Sequence, residues 1–128
     1  LAVLKSWGKI LNNLKTEDQG RIVWSWLEEK DEISTLINGQ LDVQEIFEEI
    51  SASVAEAKFI FIAGVHPQSE GIFILIQAAK GFSSIEVLKN YSPAGNTRIA
   101  SAILPFSREE WQEKFIAALK DKLDKNKI

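Results

Sequence analysis

Residues 57–79 read AKFIFIAGVHPQSEGIFILIQAA. Two runs, 57–65 and 71–79, are rich in β-branched and aromatic residues, and HPQSEG joins them with Pro67 and Gly71 as punctuation. Such a pattern predicts an antiparallel hairpin. The first run is apolar at nearly every position, which predicts a strand covered on both faces.

Working outward, the period changes. Upstream, Val43, Ile46, Phe47, Ile50 and Val54 draw one stripe, so DVQEIFEEISASV reads as a helix with its acids on the wet side and Asp42 as its cap. A shorter helix over 31–37 ends at NGQ. RIVWSWL, residues 21–27, alternates Ile22, Trp24 and Trp26 against Arg21, Val23 and Ser25, predicting a half-buried strand. Val3, Leu4, Trp7, Ile10, Leu11 and Leu14 predict an amphipathic helix over the first residues, broken by KTEDQG with its turn at Gly20.

Downstream, Ser83 with Glu86 reads as a capping box opening a short helix through residue 91. TRIASAIL, residues 97–104, is a further strand ended by Pro105. Ser107 with Glu110 forms a second box, after which Trp111, Phe115, Leu119 and Leu123 recur every fourth residue. Lysines crowd the end of that helix, complementing its dipole. The expectation is an α+β fold: a mixed β-sheet with helices packed mainly on one face, preceded by an N-terminal linker helix.

At 128 residues the chain is one domain's worth, with 45% apolar and 26% charged residues. A net charge of −3 gives no broad basic field, so any contact with a polyanion must be local. There is no cysteine, hence no disulfide framework, thiolate metal site or thiol nucleophile. No apolar run approaches the roughly 20 residues of a membrane span, and no signal peptide opens the chain. A cytoplasmic protein without membrane contact is the expectation. The chain contains no methionine and opens as LAVLKSWGKIL, which reads as a piece of a longer protein.

Catalytic candidates are few. His66, the one histidine, stands in the hairpin turn, where base catalysis lacks an orienting partner. The acidic pairs Glu28–Glu29, Glu48–Glu49 and Glu109–Glu110 are adjacent on helices and do not face each other. No H-x-x-x-H, D-x-D or P-loop spacing appears. The four tryptophans sit on apolar stripes and are expected in the core. No catalytic or metal-ligating residue is assigned to this chain.

NYSPAGNTRIASAIL, residues 90–104, is poor in large side chains near its centre, as suits backbone that approaches something closely. With it comes a resemblance. WGKILNNLKTEDQGRIVWSWLEEKD, then an acidic helix, a hairpin and a helix–loop–strand, resembles the C-terminal, DHH-associated domain of DHH-family phosphoesterases. The branch it resembles contains RecJ-like nucleases, bifunctional oligoribonuclease/pAp phosphatases and exopolyphosphatase-like proteins. That domain carries a GGGGH motif, of which this chain has a degenerate copy: Ser92, Pro93, Ala94 and Gly95 stand at the glycines and Asn96 at the histidine.

The resemblance implies a linker helix over 1–15 from an N-terminal catalytic domain, and a substrate-binding domain over 16–128. It implies a parent hydrolase that uses manganese or magnesium held in that catalytic domain and acts on short oligonucleotides or nucleotide phosphates. In such a motif successive amides form an anion-holding nest. The implied phosphate-holding residues are Ser92, Gly95, Asn96, Thr97 and Arg98. Lys80 is added as the cation nearest the family's arginine position at the end of the second hairpin strand, where Ala78 stands. The implied partners are the catalytic domain and the nucleotide ligand. A homodimer is the further expectation if the domain serves packing or self-association in place of ligand binding.

Overall fold

The computed structural model describes residues 2–125, with side-chain surroundings from residue 7 onward. Val3 and Leu4 of the expected first stripe therefore lie outside the described side chains. The hairpin is present as β3 (Phe59–Val65) and β4 (Ile72–Ala78), antiparallel, with Phe59 opposite Ala78 and Val65 opposite Ile72. Side chains alternate between two cores. Phe59, Phe61, Ala63, Ile74 and Ile76 enter one, while Ile60, Ile62 and Phe73 enter the other.

β2 (Ile22–Trp26) lies parallel to β3, with Ile22 beside Phe59. A parallel partner requires a crossover, supplied by α2 (Lys30–Ile37) and α3 (Val43–Ser53). This placement corrects the half-buried expectation. Ile22 and Trp24 fill one core, Val23 the other, and Ser25 is also buried, because helices cover both faces. The segment expected to be only a turn forms β1 (Lys15–Glu17), antiparallel to β2, before the chain turns at Gly20 with φ +86°.

β6 (Ile99–Leu104) pairs antiparallel with β4, and β5 (Ala94–Gly95) pairs antiparallel with β6. The mixed six-stranded sheet runs β1-β2-β3-β4-β6-β5. α1 (Ala2–Asn12), α2 and α3 cover one face through Ile10, Ile33, Leu36, Ile46, Phe47 and Ile50. α4 (Ser84–Val87) and α5 (Trp111–Lys125) cover the other, where Trp111 stacks on Trp26 and meets Trp24 and Phe61 edge-on. Each large apolar side chain so buried contributes about 1.5–3 kcal/mol. The α+β sheet with its N-terminal helix is thus present, and three of its five helices share one face.

Helix starts are partly as expected. Ser83 Oγ accepts from the Glu86 amide at 3.2 Å, and the Glu110 carboxylate accepts from the Ser107 amide at 3.1 Å. A complete capping box closes the start of α2 instead, between Glu29 and Glu32, where no Ser or Thr marks it in the sequence. The helix expected through residue 91 stops at Val87 and continues as a 3₁₀ turn, Lys89–Tyr91.

Candidate anion-binding site

Asn96 to Arg98 form the turn between β5 and β6, and Asn96 organises it. The Asn96 Oδ1 accepts from the amides of Arg98 at 2.9 Å and Ile99 at 3.0 Å, while the Asn96 amide donates to the Ile99 carbonyl at 2.9 Å. These three amides are spent on the turn. Gly95 has φ +127°, and its backbone lies so close to β6 that a Cβ would stand 2.3 Å from the Ile99 oxygen. Its close approach is to the chain's own strand. Ser92 closes the preceding 3₁₀ turn in the left-handed region at φ +51°.

Arg98 is held from the other side by α4. The Arg98 carbonyl accepts from the Ala78 amide at 2.8 Å and from Ser84 Oγ at 2.7 Å. Ser84 Oγ is also 3.1 Å from the Ile76 carbonyl, and with one proton it donates to one of the two at a time. The Ser84 amide donates to the Thr97 carbonyl at 2.7 Å, so a fully buried serine positions the turn. Nothing in its sequence context beyond the cap at Ser83 singles it out.

One strand over, the Lys58 carbonyl accepts from the Ala79 amide at 2.8 Å and the Lys58 amide donates to the Arg21 carbonyl at 2.7 Å. Lys58 precedes β3, Lys80 follows β4 and Arg98 precedes β6, so three neighbouring strands place all three cations at one end of the sheet. There they line a cavity of about 250 Å³ with Ser51, Ala57, Ile60, Gln77, Ala78 and Ala79, under the last turns of α3. No carboxylate lines it, and among the described residues none of the three cations has an ion-pair partner.

Larger clefts lack this imbalance. In the 370 Å³ cleft beside Phe82, Lys122 lies 3.6 Å from Glu86 and Lys125 3.0 Å from Asp121. The 420 Å³ cleft beside α5 is lined by Glu17, Glu109, Glu113 and Lys120. In the 470 Å³ cleft, Arg108 is held by Glu28.

Gln77 is one of the residues lining the basic cavity. It faces the same side as Ile60 and Ile99, its register partners, and is only 6% exposed. Its Oε1 is buried and, among the described residues, meets no hydrogen-bond donor. A buried acceptor left so costs about 1–3 kcal/mol. Glu32 Oε2 also lacks a hydrogen bond but lies 3.2 Å from Lys9 Nζ, so its charge is compensated. Gln77 has no such compensation.

Of the residues expected to hold phosphate, the structure brings Lys80 and Arg98 to one cavity and places Gly95 at the end of β5 and Asn96 and Thr97 in the adjoining turn. Ser92 precedes β5 and does not line the cavity. Lys58, Gln77 and Ser51 escaped sequence reasoning. The one available signal was Gln77 itself, a polar residue interrupting the apolar run GIFILIQAA. His66 lies at the opposite end of the hairpin, where its Nδ1 accepts from the Gln68 amide at 3.1 Å.

The class defined so far is a mixed-sheet α+β domain with a small basic cavity at one sheet end. No protein-family model and no curated protein matches the sequence. Solved structures do share the fold. An exopolyphosphatase-related protein from Bacteroides fragilis superposes over 94% of this chain and 34% of its own, with a TM-score of 0.70 and 18% identity. A pGpG-specific phosphodiesterase from Vibrio cholerae matches over 98% of this chain and 40% of its own, with a TM-score of 0.59 and 13% identity. A candidate family II inorganic pyrophosphatase from Methanococcus jannaschii matches over 86% and 34%, with a TM-score of 0.54 and 16% identity. The chain therefore spans about a third to two fifths of these proteins.

Proposed function

We propose that this chain is the substrate-binding part of a metal-dependent phosphoesterase of the DHH type, holding a phosphate of a short oligonucleotide or nucleotide beside the β5–β6 turn. The observation that carries the reading is the convergence of Lys58, Lys80 and Arg98 on one cavity without a carboxylate, in a chain of net charge −3. Unpaired cations at a concave site favour an anion. Arg98 supplies the planar fork suited to phosphate, and the lysines supply point charges. With its nearby amides engaged in the turn, the site works through side chains.

The fold likeness supports the hydrolase context: the three relatives named above are an exopolyphosphatase-related protein, a pGpG-specific phosphodiesterase and a candidate inorganic pyrophosphatase, and each extends well beyond the matched part. Among the described residues no three His, Cys, Asp or Glu side chains gather as a metal site, so those residues do not fit a divalent ion. In this reading manganese or magnesium belongs to a separate catalytic domain, and this domain presents substrate to it. Among the described residues no helix is long and apolar enough to cross a membrane, and a cytoplasmic nucleotide pool is the proposed setting.

The test is a titration with a short RNA or a nucleoside monophosphate followed by amide NMR shifts. Shifts at Lys58, Lys80 and residues 95–102, weakened by salt and by Arg98→Ala, are expected. No shift there at millimolar ligand overturns the reading.

A second reading, self-association, draws on β5, a two-residue exposed strand at the sheet edge, and on Ile103, 44% exposed on β6. Sedimentation showing a monomer at high concentration rejects it.

A further inference from the structure

We infer that β1 is a docking edge for a second copy of this chain. Two β1 strands pair antiparallel about a two-fold axis at Thr16, joining the two six-stranded sheets into one. The inference is independent of the phosphate-holding reading, and it uses the sheet edge opposite β5.

The edge is open. β1 stands at the end of the sheet order, and its Lys15 and Thr16 are exposed. In an antiparallel ladder alternate residues turn their N–H and C=O outward, so an edge strand offers backbone groups to a further strand. α1, which precedes β1, packs inward on β2, α2 and α3. Among the described residues no strand lies beyond β1.

The charges select the occupant. Lys15 and Glu17 flank Thr16 on one face: Lys15 Nζ lies 4.8 Å from the centre of the Trp24 ring, and Glu17 accepts from Trp24 Nε1 at 3.4 Å. Neither has an ion-pair partner among the described residues. A two-fold axis at Thr16 sets Lys15 of each copy opposite Glu17 of the other, closing two cross-strand pairs. α5 repeats the pattern on the same face. It runs from Trp111, against Trp24 and Trp26, to Asp124, 3.9 Å from Arg21, and so follows the direction of β1. In the cleft that Glu17 also lines, Glu109 and Glu113 stand at its start and Lys120 toward its end. These three also lack ion-pair partners among the described residues. The same axis turns the acidic start of each α5 toward the basic stretch of its copy. β5, at the other edge, carries no charge and follows Pro93, which has no amide to donate.

The experiment is sedimentation equilibrium of the full chain across salt concentrations, with charge-reversal variants checked for folding by circular dichroism. The contact is small, so the unaltered chain should dimerise with a Kd of roughly 0.01–1 mM. Salt should weaken the dimer by screening the pairs. Lys15→Glu alone sets like charges opposite each other at both positions, and so does Glu17→Lys. Each should raise Kd about tenfold or more. Mixing those two variants in equal amounts should restore association, because each then meets the opposite charge. The double variant Lys15→Glu/Glu17→Lys swaps both charges and should dimerise like the unaltered chain.

An unaltered chain that stays monomeric at about 1 mM overturns the inference. Association indifferent to salt does the same, and that measurement needs no variant. A mixture no more associated than its two components also overturns it. Dimers that persist in both single variants overturn it and leave self-association through β5 standing. None of these outcomes bears on phosphate binding, whose cations flank β3, β4 and β6.

Discussion

Gly95 and Ala100 are paired across the β5–β6 hairpin at such close range that a Cβ on Gly95 would stand 2.7 Å from the Ala100 Cα. With φ +127° the position also excludes ordinary side chains. Gly95→Ala should destabilise the domain by about 1–3 kcal/mol, or detach β5 alone. Urea unfolding reads the first outcome and hydrogen exchange at residues 94–101 the second. If neither effect is seen, the glycine is dispensable to the turn that carries Arg98.

Gly64 meets a comparable constraint inside the core. A Cβ there would lie 2.1 Å from Ile33 Cδ1 and 2.6 Å from the Leu27 carbonyl, so α2 packs directly against bare β3 backbone. Gly64→Ala should cost about 2–3 kcal/mol by overpacking. Adding Ile33→Val should recover part of that loss, because the two sites share one contact. Strict additivity in denaturant melts would count against this packing account.

Gln77→Leu tests the buried acceptor directly. Removing a buried acceptor without a partner should stabilise the ligand-free domain by about 1 kcal/mol, a rise in Tm of about 3–5 °C. A loss of stability would show that the carboxamide supports the fold.

Glu28 predicts an acid-dependent contact. The hydrogen bond from Arg108, followed by one from Trp26 Nε1, holds its carboxyl below the ordinary value of 4.5. A depressed folded-state value means the contribution is fully present above about pH 4.5 and is lost as pH falls through the lower folded value. The pair is exposed, so the effect is small and screened by salt. Glu28→Gln should lower stability at neutral pH and flatten the decline below pH 4.5. Urea midpoints measured across that range check it.

Much of the architecture was readable from the chain because it rests on neighbours in sequence. The stripe Val43–Ile46–Phe47–Ile50 and the four-residue recurrence from Trp111 to Leu123 became α3 and α5. The hairpin followed from two strand-like runs and one turn. Periodicity reports which faces of an element are apolar, and helices and hairpins close through local contacts.

What lay beyond the sequence depends on pairings between distant segments. Alternation in RIVWSWL showed two faces but not that both are covered, since that follows from its parallel place beside β3. The short edges β1 and β5 exist only because a longer strand offers them hydrogen bonds. Lys58, Lys80 and Arg98 are spread over about forty positions of chain and meet because three neighbouring strands begin or end at one end of the sheet. A linear pattern records the polarity of each residue. Only register and crossover, set by long-range hydrogen bonding and packing, decide which polar residues share a cavity and which polar atoms, like Gln77 Oε1, are buried without a hydrogen-bond partner among the described residues.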